Sequence, residues 1–228
     1  MENIVVGIEG FVGSGKTSIC RELLHKLPNS VILHGGNLYR GIVYAYMKKN
    51  NELSDLKDMD ITKIMESLNV KIELENRETV IYVDGKKIDE EELQNQKTSM
   101  AVSKVSNVAN NANLFLFARN IINNFKEKYN VIVSGRALME IYPDLDYHFL
   151  ITASLDERVK RKATQYDKAN LEELREHIIK RDELQEKSGF YKMYPNTIKV
   201  DVTECKTVEQ STNKVCEYIK EAQILANL

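Results

Sequence analysis

The segment Gly10-Phe11-Val12-Gly13-Ser14-Gly15-Lys16-Thr17 constrains this chain more than any other. It satisfies the pattern G-x-x-x-x-G-K-[ST], between the short apolar run Ile4–Ile8 and an amphipathic stretch that begins at Thr17. Strand, glycine turn and helix in that order are the context the pattern needs. Glycines let backbone N–H groups curl around phosphate oxygens, and the start of the helix adds partial positive charge. Gly10, Gly13, Ser14, Gly15 and Ser18 then form the cradle, Lys16 neutralises the β- and γ-phosphates, and the Thr17 hydroxyl binds Mg²⁺. A nucleoside triphosphate site is expected, and with it an α/β fold.

The remaining pattern agrees. Ile19, Cys20, Leu23, Leu24 and Leu27 recur at helical spacing until Pro28-Asn29. Ser30–Leu33 reads as a second strand, and Asn37 as the N-cap of a helix through Lys49. A helix follows Asp60 as far as Leu68. Val70–Leu74 and Thr79–Val83 read as a small antiparallel insert around Glu75-Asn76-Arg77-Glu78. A long helical stretch is expected from about Glu91 to Tyr129. Asn130–Val133, Tyr147–Ile151 and Thr197–Val202 read as strands, Glu157–Gln185 as charged helix, and Val208–Leu225 as a closing helix. Strands alternating with helices predict a central parallel sheet covered on both faces.

Composition narrows the class without naming a reaction. The 228 residues suit one domain, and 43% hydrophobic with 29% charged residues excludes general disorder. Lys and Arg total 32 against 34 Asp and Glu, a net charge of −2 that offers no global pull toward nucleic acid or an acidic membrane. Glu2 stands where a signal peptide wants a basic residue, and no 18-residue apolar stretch occurs, so a cytosolic protein is expected. Cys20, Cys205 and Cys216 have no CxxC spacing, which predicts free thiols.

Further motifs narrow the family. His34-Gly35-Gly36-Asn37-Leu38-Tyr39-Arg40 follows the second strand, and Ser134-Gly135-Arg136 follows the central one. Asp156-Glu157-Arg158-Val159-Lys160-Arg161 opens the charged stretch, which Lys180-Arg181-Asp182 closes. With the hairpin at 70–83, their order and spacing resemble the bacterial cytidylate kinase family over essentially the whole chain. The resemblance implies one P-loop kinase domain over 1–228, with an acceptor-binding insert at about 60–100 and an Arg-rich lid at about 158–190. It implies ATP and Mg²⁺ as cofactors and a small-molecule acceptor. By that likeness Arg40 and Arg136 grip the acceptor's phosphate, Arg181 reaches its sugar or phosphate, and Arg158 and Arg161 close over the transferring group. Guanidinium suits these roles because it bonds phosphate bidentately and spreads positive charge.

The chain departs from the family where cytosine and ribose are read. Gly35 replaces the usual Ser, Ala137 an Asp, Ala112 an Arg, Gln185 an Asp and Ser188 a further Arg, while Ser103 keeps one base-contacting position. Ser134 replaces an acidic residue that would help hold Mg²⁺. A site that loses its polar readers loses discrimination by orders of magnitude.

Glu9, directly before the cradle, supports a second expectation. Ile8-Glu9-Gly10 resembles deoxynucleoside kinases, in which that Glu serves as general base on a hydroxyl acceptor; a phosphate acceptor is already anionic and needs none. The plainer role is a water-mediated hold on Mg²⁺. The leading expectation is thus a nucleoside monophosphate kinase acting on CMP, dCMP or a related nucleotide. The alternatives are a hydroxyl kinase with Glu9 as base, and an ATP-binding regulator without turnover, against which the five retained arginines argue. Tyr39 is expected to pack under the acceptor, Phe11 and Val12 to pack, His34 to be structural. Phe190-Tyr191-Lys192-Met193-Tyr194 either stacks a base or fills the lid hinge.

Overall fold

The computed structural model describes residues 2–49, 65–94, 98, 102, 112–164 and 170–220. Its strands are β1 (Val5–Gly10), β2 (Ser30–His34), β3 (Val70–Glu75), β4 (Glu78–Val83), β5 (Lys86–Lys87), β6 (Asn130–Ser134), β7 (Tyr147–Thr152) and β8 (Thr197–Asp201). The helices are α1 (Lys16–Lys26), α2 (Gly35–Lys48), α3 (Glu90–Gln94), α4 (Ala112–Lys126), α5 (Leu138–Ile141), α6 (Leu155–Ala163), α7 (Leu171–Lys187) and α8 (Val208–Cys216). Strands β2, β6, β1, β7 and β8 lie in that order and pair in parallel. The expected parallel α/β core is present.

Alternation along the central strand explains the layers, because successive side chains leave opposite faces. Val6 and Ile8 join Ile19, Leu23 and Val215 under α1 and α8, whereas Val5 joins Val131, Val133, Ile122 and Leu138 under α4 and α5. A third cluster gathers Ile42, Ile81 and Leu93 between α2, β4 and α3. All six residues of β1 are buried, so the cradle hangs from a fully enclosed strand.

The expected antiparallel hairpin is present and joins the main sheet. Strands β3 and β4 pair from Val70↔Val83 to Glu75↔Glu78, and Ile32↔Glu78 joins them to β2, so they extend the main sheet. The turn is made by Asn76 at φ 50° and Arg77 at φ 67°, the paired positive angles of a tight hairpin. The carbonyl of Arg77 accepts the Ile32 N–H at 2.8 Å and its guanidinium donates to Leu24 O at 3.0 Å, which pins the turn to the core.

Other boundaries also move. Strand β2 passes straight into α2 with His34 at the cap position, so Asn37 lies inside the first turn instead of capping it. The charged stretch divides into α6, capped by Ser154 Oγ, and α7, capped by Asn170 Oδ1. Of the expected helix over 91–129, α3 and α4 are its two ends; most of the span between them, the start of the helix after Asp60 and the tail beyond 220 lie outside the described residues. Among the described residues no helix is long and apolar enough to cross a membrane. The three cysteines are free, as expected.

At the base of the sheet, away from the cradle, side-chain amides stitch neighbouring loops. Asn3 Nδ2 donates to Lys126 O at 2.8 Å, Asn29 Nδ2 to Lys128 O at 2.7 Å and Asn130 Nδ2 to Pro28 O at 2.7 Å. Asn130 Oδ1 also accepts the Ile4 N–H at 2.9 Å.

Candidate active site

The carboxyl ends of β1, β2 and β6 open onto one cavity of about 280 Å³, the position where open α/β sheets bind ligands. Its wall includes Gly13, Lys16 and Thr17 of the cradle and Arg40, Arg136 and Arg181 of the expected acceptor site. The structure therefore brings together side chains from four elements spread along most of the chain.

The cradle needs its glycines for specific reasons. A Cβ on Gly10 would lie 2.4 Å from the Ile151 carbonyl oxygen of β7, and Gly15 stands at φ 92° as it enters α1. Both positions exclude a larger side chain without movement of backbone. Ser14 is fully buried and its Oγ lacks a hydrogen-bond partner, while Ser18 is exposed on the first turn of α1. Lys16 Nζ donates to Gly10 O at 2.6 Å and Phe11 O at 3.0 Å. Burial pushes its pKa down to about 7, and the charge of Arg136 adds to the effect.

The arginines crowd one another. Arg40 is lowered to about 10 by burial, then by the charges of Arg136 and Arg181. The Nε atoms of Arg40 and Arg136 are buried without hydrogen-bond partners. Like charges gathered in a cavity with unsatisfied donors form a site that a dianion would relieve. Tyr39 also lines the cavity, its hydroxyl pushed up to about 12 by burial, and Gly35 and Ala137 lie on the wall. Ser103 lies outside the described residues.

Two expected lid arginines are elsewhere. Arg158 is buried and pairs with Asp182 at 2.5 Å, donates to Val12 O at 3.1 Å, and sits 5.4 Å from the Phe11 ring centre. Arg161 pairs with Glu157 at 2.9 Å and donates to Ser14 O, Val202 O and Cys205 O. Neither lines the cavity. In this structure they bracket the cradle from behind, most of their donors engaged by carboxylates and carbonyls, while the buried Arg158 Nε has no hydrogen-bond partner.

Glu9 also departs from expectation. It is 3% exposed and absent from the cavity wall, and its Oε1 accepts the Leu138 N–H at 2.6 Å. The carboxylate is thus turned toward α5 and not toward a reacting hydroxyl. His34 lines the cavity, but its Nε2 lies 2.7 Å from Glu78 Oε2 and its N–H donates to Thr79 Oγ1, so its structural expectation holds.

The aromatic run divides. Phe190 lines the cavity with the Arg136 guanidinium 5.8 Å from its ring centre. Tyr191 stacks on Phe11 with centres 4.3 Å apart and donates to Gln185 Oε1, and Tyr194 donates to Glu140 at 2.6 Å. Val12 packs with Val159 and Ile178, as expected. Of the altered positions, Gln185 is buried against Tyr191, Ser188 Oγ bonds Leu184 O, and Ala112 is exposed and off the wall.

Sequence reasoning assigned no role to Asp182, which fixes Arg158 and also accepts the Val12 N–H at 3.4 Å. Its signal was present: Ile178, Asp182 and Gln185 share the inward face of α7, and an acid on such a face needs a partner.

No group of three or more His, Cys, Asp or Glu among the described residues could hold a metal ion. Thr17, on the wall beside Lys16, offers one hydroxyl, which fits a Mg²⁺ ion that arrives mostly ligated by phosphate and water.

A cradle on the central strand facing a cluster of phosphate-seeking arginines defines a P-loop phosphotransferase. A family model described as Cytidylate kinase matches residues 6–223. Proteins named Cytidylate kinase from Clostridium botulinum (strain Langeland / NCTC 10281 / Type F) and Clostridioides difficile (strain 630) are each 28% identical over 96% of this chain and 99% of their own. The one from Aquifex aeolicus (strain VF5) is 29% identical over 98% of this chain and 99% of its own. The chain belongs to the cytidylate kinase family and is an ATP-dependent nucleoside monophosphate kinase. Neither the hydroxyl kinase nor the regulator without turnover is favoured.

Proposed function

We propose that this kinase acts in the cytosol on CMP, dCMP or a closely related monophosphate, with Mg²⁺, and that Arg40, Arg136 and Arg181 hold the acceptor's phosphate. The observation that carries the assignment is the convergence of those three guanidiniums on the cavity that also contains Lys16 and Thr17. Bound MgATP supplies an electrophilic γ-phosphoryl group whose charge the metal partly neutralises.

The protein's part is positioning and charge. Backbone N–H groups from Gly13 to Thr17 cradle the triphosphate, and Lys16 exchanges its two carbonyl partners for phosphate oxygens as its ammonium form is restored. The three arginines bring an anionic oxygen into line, so no general base is needed and Glu9 has none of that work to do. Arg158 and Arg161 act through the cradle unless nucleotide draws them from their present partners. Gly35 and Ala137 offer no side-chain donors to the ribose and base, which supports a broader range of accepted monophosphates than a fully furnished site would allow.

The test is ADP release measured over CMP, dCMP, UMP, other monophosphates and unphosphorylated nucleosides. Turnover of monophosphates alone, abolished by Lys16→Ala, is expected. Turnover of a nucleoside, or tight ATP binding with no turnover of any acceptor, would overturn the assignment.

A further inference from the structure

The carboxylate of Glu9 stands one residue before the cradle, yet it is committed to another element. Oε1 accepts the Leu138 N–H at 2.6 Å, and Nε2 of the buried His148 lies 3.3 Å from the same oxygen. His148 is held in turn by its Nδ1, 2.8 Å from Thr197 Oγ1. The Leu138 amide is thus the hydrogen bond that holds the carboxylate, with the His148 ring packed close beside it.

Leu138 opens α5, and the residue before it, Ala137, stands at φ 55°. That left-handed backbone is unfavourable for alanine and persists only where the surroundings hold it. The next residue back is Arg136, whose guanidinium lines the cavity and whose Nε is buried without a partner. A cavity arginine, a strained alanine and an anchored amide are thus consecutive. Releasing the anchor would let Ala137 relax to negative φ, and the turn that aims Arg136 would rotate with it.

We propose that Glu9 is a positioning residue for Arg136: by holding the Leu138 amide it keeps the 135–138 turn in the strained form that points the guanidinium at the acceptor's phosphate. The inference rests on the acceptor-phosphate role of Arg136 given above.

Steady-state kinetics with CMP and ATP separate this role from the others. Glu9→Ala is expected to raise the KM for CMP about tenfold or more while the KM for ATP stays within about threefold, because a buried amide loses its acceptor. Glu9→Gln keeps an acceptor oxygen and should rescue the acceptor KM. In a double-mutant cycle, Glu9→Ala should add little once Arg136→Ala is present.

Should Glu9→Ala not fold, Glu9→Met fills the same space without an acceptor and carries the same expectation. Loss of kcat in Glu9→Gln with both KM values kept would make Glu9 a base or metal-linked group and overturn the inference. So would additive effects with Arg136→Ala, or equal rises in both KM values. If the unaltered protein turns over no monophosphate, the acceptor assignment itself fails; turnover with an acceptor KM indifferent to residue 9 overturns only the positioning role.

Discussion

Lys16 and Arg40 show how charge is stored for a ligand. With its pKa at about 7, Lys16 is mostly neutral at pH 8 in the free protein and becomes an ammonium when phosphates surround it. ATP binding at pH 8 should therefore take up about 0.9 proton, and at pH 6 about 0.1, because the free protein is already protonated there. The sign follows: affinity weakens as pH rises above about 7. Calorimetry in buffers of unequal ionisation enthalpy reads the uptake directly, and Lys16→Ala should abolish it. Arg40 makes the matching case on the acceptor side. Arg40→Ala should raise the monophosphate KM about 10- to 100-fold, the loss of a charge-assisted bond worth about 1.5–3 kcal/mol, with a smaller change for ATP. Initial-rate kinetics with each substrate varied in turn would check it.

Between elements, the link that matters most runs from α7 through α6 to the cradle. Asp182 binds Arg158 and the Val12 amide, and Arg158 binds the Val12 carbonyl. Removing one member of a buried pair leaves the other charge uncompensated, so Asp182→Ala should cost about 3–5 kcal/mol in urea unfolding. Replacing both, as Arg158→Met with Asp182→Leu, should recover most of that loss while ATP binding stays impaired, since the Val12 peptide loses both partners. This link also marks what could be read from the chain alone. The cradle was legible because its residues are contiguous and their chemistry is local to one strand, loop and helix. The three arginines proposed for the acceptor, Arg40, Arg136 and Arg181, were singled out through family spacing, and all three line the cavity. The present partners of Arg158 and Arg161, Asp182 and the carbonyls of Ser14, Val202 and Cys205, were not legible because they become neighbours only after folding. The same holds for Glu9: its place beside the cradle in sequence suggested chemistry, while the Leu138 amide, 129 residues away, holds its Oε1. The start of α2 was missed because a polar residue beside two glycines looks like a cap whether or not the preceding strand already runs into the helix.

Across the whole molecule, the packed sheet holds together cations that would otherwise disperse. Ligands that satisfy them should stabilise the fold. At 100 times Kd, ATP or a monophosphate contributes about 2.7 kcal/mol, and at about 2–4 °C per kcal/mol for a chain of this size the Tm should rise by about 5–10 °C. Thermal denaturation with each ligand alone, and with both, measures this. The rise from a monophosphate should shrink with added salt and vanish in Arg136→Ala. The opposite end of the sheet has a different vulnerability. Its loops are stitched by the amides of Asn3, Asn29 and Asn130, and asparagine is among the residues that decay chemically on heating. Conversion of the Asn130 amide to a carboxylate would set a negative group against the Pro28 carbonyl where a donor now stands. Decay at these asparagines would loosen the sheet's foundations at the pole opposite the cavity while leaving the cradle chemically intact.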